Sequence, residues 1–234
     1  MVGMAVVVGC GGGSSSSTTS SRSSTATSES SSSTGESSAS AAAPTDDAAT
    51  AVALLWTSAD FPSDWTSAPH KRSADRKAVG DRLAACSGGV NVEAPVDIDA
   101  PDFKSGGSQA ELGVAIQADS ATLDADFSSI DGPKFVDCFK AELIRALGTK
   151  AQTPGVAIEV TKLAPPAGTP SSTVMVRATV TQNGKLVVVS DVVLTGAGRT
   201  ELSLGFTGTG AAFDEQLETD LVAKAVARLA AHPT

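Results

Sequence analysis

"VMVRATVTQNGKLVVVSDVVL", Val174 to Leu194, holds two apolar runs on either side of Asn183-Gly184. Both residues of that dipeptide accept a positive φ, so Asn-Gly between alternating runs is the strongest local cue for a two-residue β-hairpin. Val174, Val176, Ala178 and Val180 then face Leu186, Val188 and Val192 across the turn. A further strand is expected at Thr200 to Phe206, after the "GAGR" turn, which makes a three-strand antiparallel meander. Upstream, Leu112, Val114 and Ile116, and again Val156, Ile158 and Val160, alternate with polar or small residues as half-buried strands do.

Three segments around these strands read as helices. The first covers about Ser73 to Ala85, with Val79, Leu83 and Cys86 on one face and Gly88-Gly89 at its end. The second takes Asp131 as N-cap and Pro133 in its first turn, sets Phe135, Cys138, Phe139, Leu143 and Leu147 in one stripe, and stops at Gly148. The third covers Ala212 to Ala231, with Asp214, Glu215 and Glu218 early and Lys224 and Arg228 late, as the helix dipole favours. Its stripe of Leu217, Leu221, Ala225 and Leu229 needs an apolar partner. A meander between helices predicts an α+β fold, an antiparallel sheet of about four to five strands with helices packed on one side.

The N-terminal part of the chain has a different character. From Gly11 to about Ala43 it is almost wholly Ser, Thr, Gly and Ala. Such a composition cannot offset its conformational entropy, and the segment is expected to be disordered. A flexible coil of ~40 residues has ends on the order of 35 Å apart, which makes it a spacer. Before it, Val7, Val8, Gly9 and Cys10 resemble a bacterial lipobox, whose cysteine is acylated and becomes the new N-terminus. Residues 1–9 lack the cationic region of a secretory signal and read as the remnant of a longer one. The competing reading is an unstructured terminus that happens to contain a cysteine. The expected organisation is a signal remnant at 1–9, a lipidated linker at 10–50 and an extracytoplasmic α+β domain at 51–234. Palmitate or a similar acyl group on Cys10 would hold the chain at the cell membrane, on the extracytoplasmic side, since two or more chains anchor stably.

Three cysteines are present. With Cys10 assigned to lipid, Cys86 and Cys138 remain as an even pair on apolar helix faces, and an oxidising compartment favours their joining. Two buried thiols or a metal pair are the alternatives, the second without a His or further Cys at ligand spacing.

The stretch "LLWTSADFPSDW" at Leu54 to Trp65, the "AACSG" containing Cys86, the "CF" at Cys138, the meander and the final helix together resemble the extracellular sensor-like domains of actinobacterial lipoproteins. Their relative is the sensor domain of a mycobacterial receptor serine/threonine kinase. The resemblance implies an α+β domain with an antiparallel sheet and a cleft for an unidentified ligand, and no catalytic residues. The kinase sensor has two disulfides, whereas this chain can form only Cys86 to Cys138.

Little in the sequence points to chemistry. A formal net charge of −9 with 17 scattered Lys and Arg excludes a nucleic-acid footprint. "HKRSADRK", from His70, reads as a solvated helix face. Of two histidines, His70 falls in a loop or helix start and His232 near the C-terminus, neither beside a partner that would make it a base. No G-x-S-x-G, H-E-x-x-H or Walker lysine loop occurs, "GFTGTGAAF" places Phe213 where a dinucleotide fingerprint needs Gly or Ala, and no cofactor is implied. Asp97, Asp99 and Asp102 in "VDIDAPD" offer oxygens for calcium, but Ile98 and Pro101 break the EF-hand pattern, and the stretch reads as a solvated loop. Asp124 and Asp126 read as pointing the same way on a short helix, an acid/base pair only if buried. Trp56, Phe61 and Trp65 form an apolar plug, read either as a cap on the core or as the lip of a ligand cleft. The function expected is ligand binding or sensing of a small molecule, an envelope lipid or a partner protein. A cell-envelope hydrolase and a structural adaptor are the alternatives.

Overall fold

A computed structural model of the chain describes residues 44–234. The signal remnant at 1–9, the lipidation site Cys10 and the linker as far as residue 43 lie outside the described residues. The elements run α1 (Pro44–Leu54), β1 (Thr66–Ala68), α2 (Arg76–Ser87), β2 (Val96–Asp99), β3 (Asp102–Ser105), β4 (Ser108–Ile116), α3 (Ser120–Asp131), α4 (Phe135–Leu147), β5 (Val156–Leu163), β6 (Thr173–Gln182), β7 (Lys185–Ala197), β8 (Thr200–Thr209) and α5 (Glu215–Ala231). The fold is α+β around one antiparallel sheet in the order β1-β3-β4-β8-β7-β6-β5, with β2 pairing the other half of β4.

The hairpin forms where Asn-Gly places it, with Asn183 at φ 52° and Gly184 at φ 76°. Val180 faces Val188 and Val176 faces Val192, as the alternation requires. Leu186 instead faces Thr181, because the register shifts between Val180 and Thr181 and leaves Val187 as an extra residue on β7.

The sheet has eight strands rather than four or five, and its helices cover both faces rather than one. Alternation along β7 sends Val193 to one face and Val192 and Leu194 to the other. The Val193 side packs with Ala51 and Leu54 of α1 and with Leu221, Ala225 and Leu229 of α5. The other side packs with Leu83 of α2, Leu123 and Phe127 of α3, and Phe135, Phe139 and Leu143 of α4. A sheet buried on both faces needs apolar residues in both phases, and "VVVSDVVL" supplies them.

Helix ends shift for local reasons. Asp131 closes α3 instead of capping α4: Asp119 caps α3 by accepting from Thr122 N at 2.8 Å, and Gly132 turns extended before Pro133, whose ring disfavours helix in the preceding residue. α5 starts three residues later than expected because Asp214 is its N-cap, accepting from Leu217 N at 2.8 Å. α2 ends at Gly88, which takes φ 93° and donates its N–H to Ala84 O. The folded body begins ahead of Ala51, with α1 already helical from Pro44. Asp47 of that helix pairs with Arg199 at 2.8 Å in the turn between β7 and β8.

Cys86 and Cys138 are joined in a disulfide. It links α2 to α4, and beside it Arg82 grips Glu142 with Nη2 at 2.7 Å and Nε at 3.0 Å from both carboxylate oxygens.

Candidate functional site

Short strands at one end of the sheet gather charged groups that lie far apart in sequence. β1 pairs with β3 so that Ala68 faces Asp102, and the chain leaving β1 brings His70 beside that aspartate. His70 Nδ1 and Asp102 Oδ1 are 2.6 Å apart, both side chains nearly buried. Glu111, in the middle of β4, converges on the same point, and the three ligand atoms all lie within 4.8 Å of one another. Lys104 Nζ stands 3.8 Å from Asp102 Oδ2, and Gln109 donates its side-chain amide to Glu111. Burial, and then the charge of Asp102, push the Glu111 carboxyl up to about 7.

Next along the same edge, Arg72 and Arg76 hold β2. Arg76 Nη2 donates to Asp97 Oδ1 at 2.9 Å, Arg72 Nη2 donates to the Asp97 carbonyl at 2.7 Å, and Arg72 Nε donates to Asp99. Between them and the loop before β2 is a cavity of about 270 Å³ whose wall includes Arg72, Arg76, Lys77, Asn91, Glu93 and Asp97, with Ala115 of β4 as part of its floor. Ala115 and Glu111 are on one face of β4, since side chains two and four apart share a face.

Two expectations change here. The "HKRSADRK" stretch is not a solvated helix face: only its end enters α2, while His70 and Arg72 precede it and bind acids of β2 and β3. "VDIDAPD" is not a solvated loop but two strands broken at Ala100-Pro101, with Asp97, Asp99 and Asp102 each held by a base. The signal was present in the alternation of Val96, Ile98 and Phe103 with acids and Lys104. It is disguised because the break at Ala100-Pro101 shifts its phase by one residue.

Asp124 and Asp126 do not act together. Two residues apart on a helix they point to opposite sides, and in α3 Asp124 is exposed while Asp126 is buried, its carboxyl raised by burial. Asp124 lines a second hollow of about 330 Å³ beside the start of β6. Trp56 and Phe61 are buried in the main core, Trp56 within 5.7 Å of both Phe61 and Phe206, and Phe61 stacked 4.0 Å from Phe103. Trp65 is half-buried at the edge of this cluster, against Phe61 and Phe213. None of the three lines either cavity.

Beneath α5 a second set of carboxylates meets. Arg177 donates from Nε and Nη2 to Asp191, each at 2.7 Å, and burial together with the charge of Asp191 pushes Glu218 up to about 8. The native state therefore keeps a proton that the unfolded chain releases near pH 4.5. Stability is expected to fall as pH rises from there; up to about 7 the Glu111 carboxyl contributes a fall of the same sign, and on toward about 8 the fall is that of Glu218, at most ~1.4 kcal/mol per pH unit. Glu218→Gln should flatten that slope in urea titrations run at a series of pH values.

No family model matches the chain, and no curated protein matches it. Among solved structures it is similar to the extracellular domain of PknH from Mycobacterium tuberculosis, at 10% sequence identity and a TM-score of 0.45, over 79% of this chain and 96% of that one.

Proposed function

We propose that the chain is a binding module of the extracytoplasmic face, acylated at Cys10 and held at the cell membrane by its Ser/Thr-rich tether, and that its folded body takes up a small charged molecule. The observation that carries the binding half is the cavity of about 270 Å³ walled by Arg72, Arg76, Lys77, Asn91, Glu93 and Asp97. Side chains of both signs converge there on a space of molecular size, and Ala74, Val92 and Ala94 join the wall, which suits a compact charged ligand with a small apolar part. The location half is supported by the lipobox-like "VVGC" at Val7 to Cys10 and by the Cys86–Cys138 disulfide, a bond that persists in oxidising compartments. No helix among the described residues is long and apolar enough to cross a membrane.

The hydrolase alternative draws on the His70–Asp102 contact, yet no serine or cysteine hydrogen-bonds to that ring among the described residues. An adaptor needs a broad apolar patch, and of the exposed large apolar side chains, Val52, Ile144 and Val187 are on separate elements, while Val90 and Val92 share only the short stretch between α2 and β2.

Two measurements test the proposal. Grown with a labelled palmitate analogue, cells should yield a labelled chain in the membrane fraction, and Cys10→Ser should lose the label and leave the membrane. Native mass spectrometry of the full chain, purified in detergent, should find a bound small molecule that Arg72→Ala releases. An unlabelled cytosolic chain overturns the anchoring, and a chain without added mass, or with added mass indifferent to Arg72→Ala, overturns the binding site.

A further inference from the structure

We propose that His70, Asp102 and Glu111 together bind one divalent transition-metal ion, zinc being the best match to their donors. The set is one imidazole nitrogen and two carboxylate oxygens, a combination that suits zinc and its neighbours better than calcium or magnesium, which favour all-oxygen shells. One of the four tetrahedral positions stays open for water or an exogenous ligand, as in sites that act on or recognise a molecule.

The positions are fixed by backbone rather than by flexible side chains. Asp102 opens β3, Glu111 sits inside β4, and the ladder that joins them pairs Phe103 with Ala110. His70 follows β1, whose Ala68 is opposite Asp102. Around an ion at about 2.0–2.2 Å from each ligand, tetrahedral neighbours stand about 3.3–3.6 Å apart. The three donor atoms are already within 4.8 Å, so closure needs Glu111 to approach by about 1 Å and the His70–Asp102 pair to open by about as much, both within side-chain reach. The ion then takes the place of the hydrogen that lies between His70 Nδ1 and Asp102 Oδ1.

Charge argues the same way. Two carboxylates converge at a largely dehydrated point, and the nearby cations are Lys104, 3.8 Å from the far oxygen of Asp102, and His70 itself when protonated. A divalent ion bound there would neutralise both carboxylates where they meet. Gln109 already donates to one oxygen of Glu111, the kind of outer hydrogen bond that orients a ligating carboxylate. Across the ladder from Glu111 is Gly205, where a Cβ would stand 3.8 Å from the Glu111 Cβ and 4.0 Å from Oε2. The absence of a side chain there leaves room over the carboxylate.

The inference depends neither on acylation nor on the neighbouring cavity. Its test uses the full-length chain with Cys10→Ser, so that no free thiol competes, and zinc alone as the probe in calorimetry, with cobalt as a spectroscopic substitute. One ion per chain is expected, with cobalt absorption bands of a low-coordinate site. His70→Gln, Asp102→Asn and Glu111→Gln should each weaken binding by more than the ~10–100-fold that loss of an outer partner costs, and His232→Gln should leave it unchanged. Glu111→Gln removes a buried charge and keeps the shape, so it reports on the metal without unfolding the chain, and zinc should raise the melting temperature of the parent but not of this variant. Absence of binding, equal binding in all three variants, or loss with His232→Gln overturns the site.

Discussion

Replacing Cys86 and Cys138 together by alanine is expected to destabilise the folded body by about 4 kcal/mol, the figure that the chain-entropy model gives for a closed loop of 52 residues. The loop contains β2, β3, β4 and α3, so cutting it frees the unfolded chain in the region that holds the charged edge. Some of the native connection survives, because Arg82 and Glu142 still bridge α2 to α4 with three contacts between 2.7 and 3.0 Å. That pair is partly exposed and screened by solvent, so it does not replace the covalent link. Denaturant titrations of the oxidised chain, the double variant and the chain under reductant measure the difference. A double variant as stable as the parent would show that the bond is incidental to the fold.

Trp56→Ala should cost ~3–5 kcal/mol, the range for deleting a buried aromatic. Trp56 is 1% exposed and has the rings of Phe61 and Phe206 on two sides, so its removal leaves a void that neither neighbour can fill without leaving Phe103 or Phe213. Trp56 Nε1 is buried with no hydrogen-bond partner. Trp56→Phe should therefore lose much less, about 1–2 kcal/mol, since lost volume is offset in part by removal of an unsatisfied donor. Comparing the two in urea separates packing from hydrogen bonding. If Trp56 instead formed the lip of a ligand cleft, both variants would leave stability close to that of the parent and change binding.

What the sequence discloses and what it hides follow from the range over which each feature is determined. The β6–β7 turn is legible because Asn183 and Gly184 decide it among four neighbouring residues, and the end of α2 because Gly88 acts within one helical turn. The disulfide is legible from the even pair left once Cys10 is set aside, although nothing local shows that α2 and α4 touch, and Cys86 is exposed where Cys138 is buried. The charged edge is the opposite case. His70 meets Asp102 32 residues away, Arg76 meets Asp97, and the strands that bring them together are three or four residues long, too short for alternation to stand out. Without that pairing His70 looks solitary and three aspartates look solvated. That helices cover both faces of the sheet is hidden for a related reason: "VVVSDVVL" is apolar in both phases, and only the packing of α3 and α4 onto Val192 and Leu194 shows what the second phase is for.

The tie between Asp47 and Arg199 has a mechanical side. Any pull on the chain from before residue 44 enters through α1, which is locked to the turn between β7 and β8 and sunk into the core by Ala51 and Leu54. Because β7 and β8 are interior strands, each paired on both sides, such a load passes into the middle of the sheet and not to an outer strand.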